Sequence, residues 1–355
     1  MSKATWFLWN RRPLFLLVFL FFLALVAMGF SASRGAVHIS LREEVATVLA
    51  HVGIGHPVDS QTASVFWNIR LPRVLMGFLV GGILAVSGTC LQGLFRNPLA
   101  DPGLIGISSG AALAAVAVIV FGSSVLSLNF RQEWGFAILP VAAFGGALGA
   151  TFLIYQFATI GGEVRVAALL LAGIAINALA GAGIGWMSYL ATEDQLRMLT
   201  FWGMGSLGSS NWMQLKIAGP IMLAMMAVTP LLAGGLNALS LGEADARHLG
   251  FSVTRLKQAV VILSALGVGA AVSVSGVIGF LGLVAPHLLR LMIGSNHRWV
   301  IPGSIILGGG LLTLADLLAR TLVVPAELPI GIVVSSVGAP FFLYLMVKEK
   351  KRLLS

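Results

Sequence analysis

Arg197 stands four and five residues before Phe201 and Trp202 in Asp194-Gln-Leu-Arg-Met-Leu-Thr-Phe-Trp202. A guanidinium beside flat aromatic surface suits a planar anionic ligand: the cation takes a carboxylate and the rings take the plane. An aromatic belt at a membrane boundary explains the two rings equally well. A second set of cations, Arg70 and Arg73 in Arg70-Leu-Pro-Arg73 together with Arg320, reads as exposed guanidiniums facing outward, suited to bidentate capture of carboxylates on a soluble partner. Snorkelling anchors at lipid headgroups are the alternative. Asp316, one turn before Arg320, reads as that arginine's ion-pair partner. Three histidines, His38, His51 and His56, share the stretch Ser31–Trp67, but their spacings match no metal motif. No nucleophile–base pair and no His-Glu-x-x-His is visible, and the single Cys90 excludes an intrachain disulfide.

A polar island, Ser240–Lys257, separates two long apolar runs. Ser240 with Glu243 forms a capping-box pattern, which predicts a helix from Leu241. Glu243 and Arg247 lie one turn apart and can pair. Gly250 can end that helix in the left-handed conformation, and Ser252 can cap the next, which runs into the apolar Gln258–Gly269. Two short helices lying flat cannot bury Leu241, Ala244, Leu249 and Phe251 by themselves. They either rest in the membrane interface or dock into another protein. A solvated loop is the plainer reading, and the capping and the glycine hinge favour a built knob that something grips.

The elements that position these groups follow from composition. Of 355 residues, 58% are hydrophobic and 10% charged, the balance of a polytopic membrane protein. Apolar runs fall at about 14–30, 69–93, 104–122, 136–158, 167–190, 213–233, 256–274, 277–293, 299–319 and 330–347. Since a crossing needs roughly 20 apolar residues, this predicts an all-α fold of about ten membrane helices. Arg11-Arg12 before the first run resembles a signal peptide, but no convincing small-x-small cleavage site follows, so an uncleaved first helix is expected. With the N-terminus inside, 14 of the 22 Lys and Arg are cytoplasmic and eight are outside, the usual bias. The positive balance belongs to loops of this kind and not to nucleic-acid binding, because no basic stretch carries interleaved aromatics.

That orientation puts Ser240–Lys257 in the cytoplasm and Arg70, Arg73, Arg197 and Arg320 outside. The first outside loop should hold a short helix, Leu41–His51. Phe95-Arg-Asn-Pro-Leu-Ala-Asp-Pro-Gly103 must break the helix, and broken backbone at membrane depth survives only where it lines a cavity or is covered. Asn97 and Leu99 would then form a constriction at the inner end of a path; a surface turn is the alternative. The fifth helix, Val166–Leu190, carries Asn177 and a row of glycines, and the eighth is read from Gly276 through Pro286, His287 and Arg290. His287 is a structural helix-end histidine or, in the rival reading, a proton relay. No Gly-x-x-x-x-Gly-Lys-Ser/Thr is present, so the chain does not cradle ATP by that device. No carboxylate ladder runs through the crossings, which weakens a proton- or sodium-coupled mechanism.

Six ordered motifs carry a resemblance across nearly the whole chain. They are Arg70-Leu-Pro-Arg73, Asn97-Pro-Leu-Ala-Asp-Pro-Gly103, Leu241-Gly-Glu-Ala-Asp-Ala-Arg-His-Leu-Gly250, Gly279-Phe-Leu-Gly-Leu-Val-Ala-Pro-His-Leu-Leu-Arg290, Ala315-Asp-Leu-Leu-Ala-Arg320 and Glu327-Leu-Pro-Ile-Gly331. Together they resemble the ATP-binding-cassette importer permeases for iron-siderophores, haem and cobalamin, the FecCD type. The resemblance implies one permease domain over residues 1–355 with the type II importer fold. It implies a homodimer with the path on its two-fold axis, in the bacterial inner membrane with both termini cytoplasmic. Two cytoplasmic ATPase subunits, which bind the ATP, and a periplasmic substrate-binding protein are the implied partners.

By the same resemblance Leu241, Gly242, Glu243, Ala244, Arg247, Leu249 and Gly250 belong to the coupling helices that meet the ATPase. Arg70, Arg73 and Arg320 would meet glutamates of the binding protein. Asn97, Leu99 and, more loosely, Thr159 would belong to a cytoplasmic gate. The segment around Arg197 looks most like the haem-transporting branch, so Arg197, Phe201, Trp202 and Asn177 are expected along the substrate path, with haem as cargo and no permanent cofactor. A ferric siderophore or cobalamin is the alternative within the family. A secondary transporter and a membrane enzyme of haem metabolism are the rivals from other classes.

Overall fold

The computed structural model describes residues 3–35, 39–51, 53–54, 59–125, 128–323 and 325–354. The chain begins with α1 (Lys3–Ser33), a short α2 (Leu41–His51) and α3 (Ser60–Val65), which runs through a π-turn at Phe66–Arg70 into α4 (Leu71–Phe95). After a break come α5 (Ile107–Val125) and α6 (Leu128–Ala158). A two-stranded antiparallel hairpin follows, β1 (Thr159–Ile160) and β2 (Glu163–Val164), with Thr159 opposite Val164. Next are α7 (Val166–Leu190), the surface helix α8 (Glu193–Gly203), α9 (Trp212–Val228) and α10 (Ala233–Leu241). The chain closes with α11 (Glu243–His248), α12 (Val253–Ser275), α13 (Leu281–Ile293), α14 (His297–Thr321) and α15 (Ile330–Leu354).

Among the described residues, seven helices are long and apolar enough to cross a membrane, and three shorter apolar helices cover Ile107–Gly122, Leu281–Ile293 and Ile330–Tyr344. These ten segments coincide with the ten apolar runs. Two of the three belong to longer helices, α5 and α15, which continue to Val125 and Leu354. Pro102 opens a short 3-10 turn, Pro102–Ile105, ahead of α5, and Pro329 stands just before the first residue of α15. The third is a correction: the eighth run does not form a helix over its whole length. Gly276 (φ 68°) ends α12, residues 276–280 are irregular, and α13 has 13 residues. At 1.5 Å per residue that is about 20 Å, short of the roughly 30 Å hydrocarbon layer.

Helix α4 is the axis of the bundle. Of its most apolar window 89% is buried, against 17% for α7. It packs on α9, α12, α13 and α14. Lipid offers no hydrophobic drive between helices, so close approach between small residues replaces it. Where α4 crosses α14, a Cβ added at Gly81 would lie 2.3 Å from the Gly308 carbonyl oxygen. The irregular 276–280 segment is covered by protein. The Ser206 amide donates to the Ser275 carbonyl (2.8 Å), while the Ile330 and Gly331 amides donate to the Gly205 and Met204 carbonyls (3.1 and 3.0 Å). That cover is what permits irregular backbone within the apolar layer.

Proline creates one further need inside α13. Pro286 has no N–H, so the Gly282 carbonyl loses its helical donor. Gln92 of α4 supplies a replacement: its Nε2 donates to the Gly282 oxygen at 2.9 Å, and its Oε1 accepts from Arg290 Nη1 at 2.5 Å. His287, on the same helix, packs its ring against Phe341 and Phe342 of α15 (centroids 6.3 and 6.1 Å). Those ring contacts fit the structural reading of this histidine.

Candidate functional site

Four groups of residues singled out in the sequence occupy two ends of the bundle. At one end lies a cluster of arginines, and here the expectation of exposed cations is corrected. Arg70, Arg73 and Arg320 are only 5%, 8% and 7% exposed. Arg73 binds Asp316 through Nη2 (2.8 Å) and Nε (3.1 Å), and Glu327 through Nη1 and Nη2 (both 2.9 Å). Asp316 also faces Arg320, the partner expected from sequence, at 3.5 Å. Arg320 donates to the carbonyls of Ser31 and Arg34 and to the Ser31 hydroxyl (2.6 Å), and Arg70 donates to the carbonyls of Ala32 (3.0 Å) and Arg34. The physical reason is the end of α1: its last carbonyls lack helical donors and carry the negative end of the helix dipole. Two guanidiniums fill that role, and Asp316 with Glu327 balances the remaining charge. The hydrogen bond from Arg73 holds the Glu327 carboxyl below its usual range.

Close to this end, α8 presents Arg197. A capping box starts the helix, with the Thr192 amide donating to Gln195 Oε1 (2.9 Å) and the Gln195 amide donating to the Thr192 hydroxyl (3.4 Å). Gln195 Nε2 then donates to the Ile119 and Val120 carbonyls of α5 (3.2 and 3.1 Å), which fixes the helix on the bundle. Arg197 and Phe201 (52% exposed) are both solvent-facing and one turn apart, whereas Trp202 is half-buried. A cleft of about 430 Å³ opens at the C-terminal end of α8, lined by Gly203, Met204, Val277, Gly279, Gly331 and Ser335, among others.

Asn177 is elsewhere. It lies mid-way along α7, 13 residues and so about 20 Å from that helix's end. Its Nδ2 donates to the Gly103 carbonyl (3.0 Å) and its Oδ1 accepts from Ser109 Oγ (2.5 Å). Asn177 therefore pins the 96–106 break to α7 and does not share a surface with Arg197. At that break Arg96 caps α4 in the left-handed conformation (φ 51°), and the Leu99 amide donates to Asn97 Oδ1 at 2.9 Å. Asn97 and Leu99 (52%) are exposed there, while burial pushes the nearby Asp101 carboxyl up.

The polar island lies at the opposite end from the arginine cluster, and its details differ from the sequence reading. Helix α10 continues through Ser240, whose hydroxyl donates to the Asn237 carbonyl (2.6 Å) and caps nothing. Gly242 (φ 136°) breaks the chain, and α11 is a six-residue helix that leads through Gly250 (φ 87°) into α12. The next helix runs on into the apolar run as expected, as α12, but its N-cap Ser252 makes no side-chain capping bond. Glu243 and Arg247 do not pair with each other. Glu243 binds Lys257 of α12 (2.7 Å), and Arg247 binds Glu163 of the hairpin (3.0 Å). Leu241 (66%), Leu249 (59%) and Phe251 (40%) are exposed, and Ala244 and Gly250 are exposed beside them. Thr159, at the base of the hairpin, donates its hydroxyl to the Tyr155 carbonyl (2.8 Å).

Lys257, Glu163 and Gln92 were missed in sequence reading. A lysine at the start of an apolar run reads as an interfacial anchor, and nothing local shows that it turns inward. Of the three histidines, His51 stacks on Trp67 (centroids 4.3 Å), while His38 and His56 lie outside the described residues.

Comparison with known proteins places these motifs in context. The model of the FecCD transport family matches residues 16–348. A hemin transport system permease protein of Yersinia pestis is 44% identical over 341 residues, covering 96% of this chain and 98% of its own. A cobalamin import system permease protein of Halobacterium salinarum is 41% identical over 305 residues, covering 86% and 79%. Among solved structures, an inward-facing conformation of a metal-chelate type ABC transporter superposes with a TM-score of 0.80 at 32% identity, covering 94% of this chain and 99% of its own.

Proposed function

The chain belongs to the FecCD transport family as the permease subunit of an ABC importer, and from that premise we propose that its cargo is haem. The observation that carries the cargo is the similarity to the hemin permease, end to end and higher than to the cobalamin permease. The exposed Arg197–Phe201 pair, on the helix whose last residue Gly203 lines the 430 Å³ cleft, supports it, since a propionate can meet the guanidinium while the ring plane meets the phenyl. No permanent cofactor belongs to this reading; haem is the substrate, and ATP is bound by partner chains.

In this reading the single permease domain sits in a bacterial inner membrane with the hairpin end in the cytoplasm, as are both termini. It works as a homodimer. Support comes from α7, whose uncovered face carries Ala175, Ala178, Gly181, Ala182 and Gly185 among larger apolar residues, a surface able to line a path on a two-fold axis. Two ATPase subunits grip Leu241, Gly242, Glu243, Ala244, Arg247, Leu249 and Gly250. Asn97, Leu99 and Thr159 form the inner gate, and Asn177 holds the gate's backbone. A binding protein delivers haem at the arginine end. Because Arg70, Arg73 and Arg320 are internally engaged, they shape that receiving surface, and any incoming carboxylate competes with Asp316 and Glu327 for Arg73.

The test is reconstitution with the ATPase and binding-protein partners, measuring ATP hydrolysis stimulated by haem, cobalamin or a ferric siderophore. Stimulation by haem is expected. Uptake without the ATPase would remove the importer mechanism, and stimulation by cobalamin alone would replace the cargo. In the same assay Arg197→Ala should reduce haem uptake about tenfold, the loss of one charge-assisted contact of roughly 1.5 kcal/mol. Undiminished uptake would return Arg197 to the role of a surface anchor.

A further inference from the structure

Helix α11 is too short to hold its own shape in water and buries a single residue, Ala246. It is joined to α12 through Leu249–Ser252, a turn with a positive-φ glycine (Gly250, φ 87°). A push on α11 therefore has little covalent stiffness to travel through. The stiffness comes from Lys257, whose side chain is 6% exposed. Its Nζ donates to Glu243 Oε1 of α11 at 2.7 Å and to the Val164 carbonyl of β2 at 2.9 Å. Val164 is 1% exposed and is the register partner of Thr159. One ammonium thus ties the gripped helix to the strand opposite Thr159. The neighbouring Gln258 adds a parallel tie, donating to the Tyr155 hydroxyl (2.8 Å) one turn before the hairpin.

We infer that Lys257 is a positioning residue that makes α11 and the β1–β2 hairpin move as one piece. The inference rests on the importer reading above. Its physical basis is the high cost of leaving a buried ammonium without its carboxylate and carbonyl. Any displacement that parted α11 from the hairpin would strand that charge, so the hairpin follows the helix. The second link, Arg247–Glu163, joins side chains that are 53% and 59% exposed. An exposed pair of that kind contributes little, so the transmission runs through Lys257. The hairpin is shaped to carry such a movement. Gly161 and Gly162 (φ 63° and 79°) make a tight two-residue turn, which leaves Ile160 exposed at its tip.

The decisive measurement is haem taken up per ATP hydrolysed by the complex reconstituted with its ATPase and binding protein. Lys257→Met removes the charge while keeping bulk, and the carboxylate it leaves, Glu243, has a side chain 36% exposed and can be solvated by water. The ratio should fall about tenfold, the size of a typical coupling between sites. Lys257→Arg, which keeps donors for both partners, should retain the parent ratio. A merely structural lysine would lower uptake and hydrolysis in step; an unchanged ratio in Lys257→Met would overturn the inference, as would loss of the ratio in Lys257→Arg. Uptake by the parent without the ATPase would overturn the importer reading and this inference with it.

Discussion

Asp316→Ala is expected to destabilise the fold by about 3–5 kcal/mol, the penalty for removing one partner of a buried ion pair. Asp316 is 2% exposed and takes two hydrogen-bonding nitrogens of Arg73, with Arg320 on its other side. Without it, two guanidiniums remain in a nearly dry site with one carboxylate, Glu327, between them and solvent. The end of α14, the start of α4 and the last turn of α1 all meet at this point, so the loss spreads to three helices. Glu327→Gln should differ sharply. Its carboxylate is 46% exposed and water can replace it, so a change of about 0–1 kcal/mol is expected. Thermal unfolding of the purified protein in detergent separates the two. Equal melting points for the two variants would mean that burial at Asp316 does not govern the cluster.

Gly88→Ala is the second large effect. A Cβ at this position would stand 2.0 Å from the Gly282 carbonyl oxygen and 2.7 Å from Gly282 C and Cα. All three are backbone atoms, so no side chain can swing aside. Helix α13 must retreat, which costs about 1–3 kcal/mol as overpacking. The retreat also takes the Gly282 carbonyl away from Gln92, and Pro286 offers no N–H to replace it, adding about 1–3 kcal/mol for a stranded acceptor. Gly149→Ala is the contrast, since a Cβ there meets nothing within 4 Å and alanine favours a helix by about 0.5–1 kcal/mol. The same melting experiment decides: a Gly88→Ala protein as stable as Gly149→Ala would show that α4 and α13 are not in backbone contact.

The ten membrane segments were legible because runs of apolar residues and the need for internal hydrogen bonds leave few other solutions. The polar island was legible for the same reason, as a charged interruption with its own glycine hinge. What stayed hidden is tertiary. Arg73 finds Asp316 across 243 positions of chain, and nothing near either residue shows that the guanidinium turns inward. Ser240 and Glu243 have the spacing of a capping box. The glycine at 242 ends α10 first, and each side chain takes another partner. The stop at Gly276 is legible in Ser273, Ser275 and Gly276, but the extension of the break to residue 280 is silent, because Val277, Ile278 and Phe280 read as helix. It depends on a left-handed Phe280 (φ 64°), and a Cβ added at Gly338 of α15 would stand 2.8 Å from the Phe280 Cβ.

That last contact bears on how the chain is made. Helix α13 is too short to be recognised as a membrane segment by length alone. The backbone that holds the stretch before it in place comes from Met204 and Gly205, already synthesised when α13 is made, and from Ile330, Gly331 and Gly338, which leave the ribosome after it. The stretch before α13 therefore sets only once α15 has been made. A nascent chain halted before residue 330 lacks those contacts and leaves that stretch uncovered.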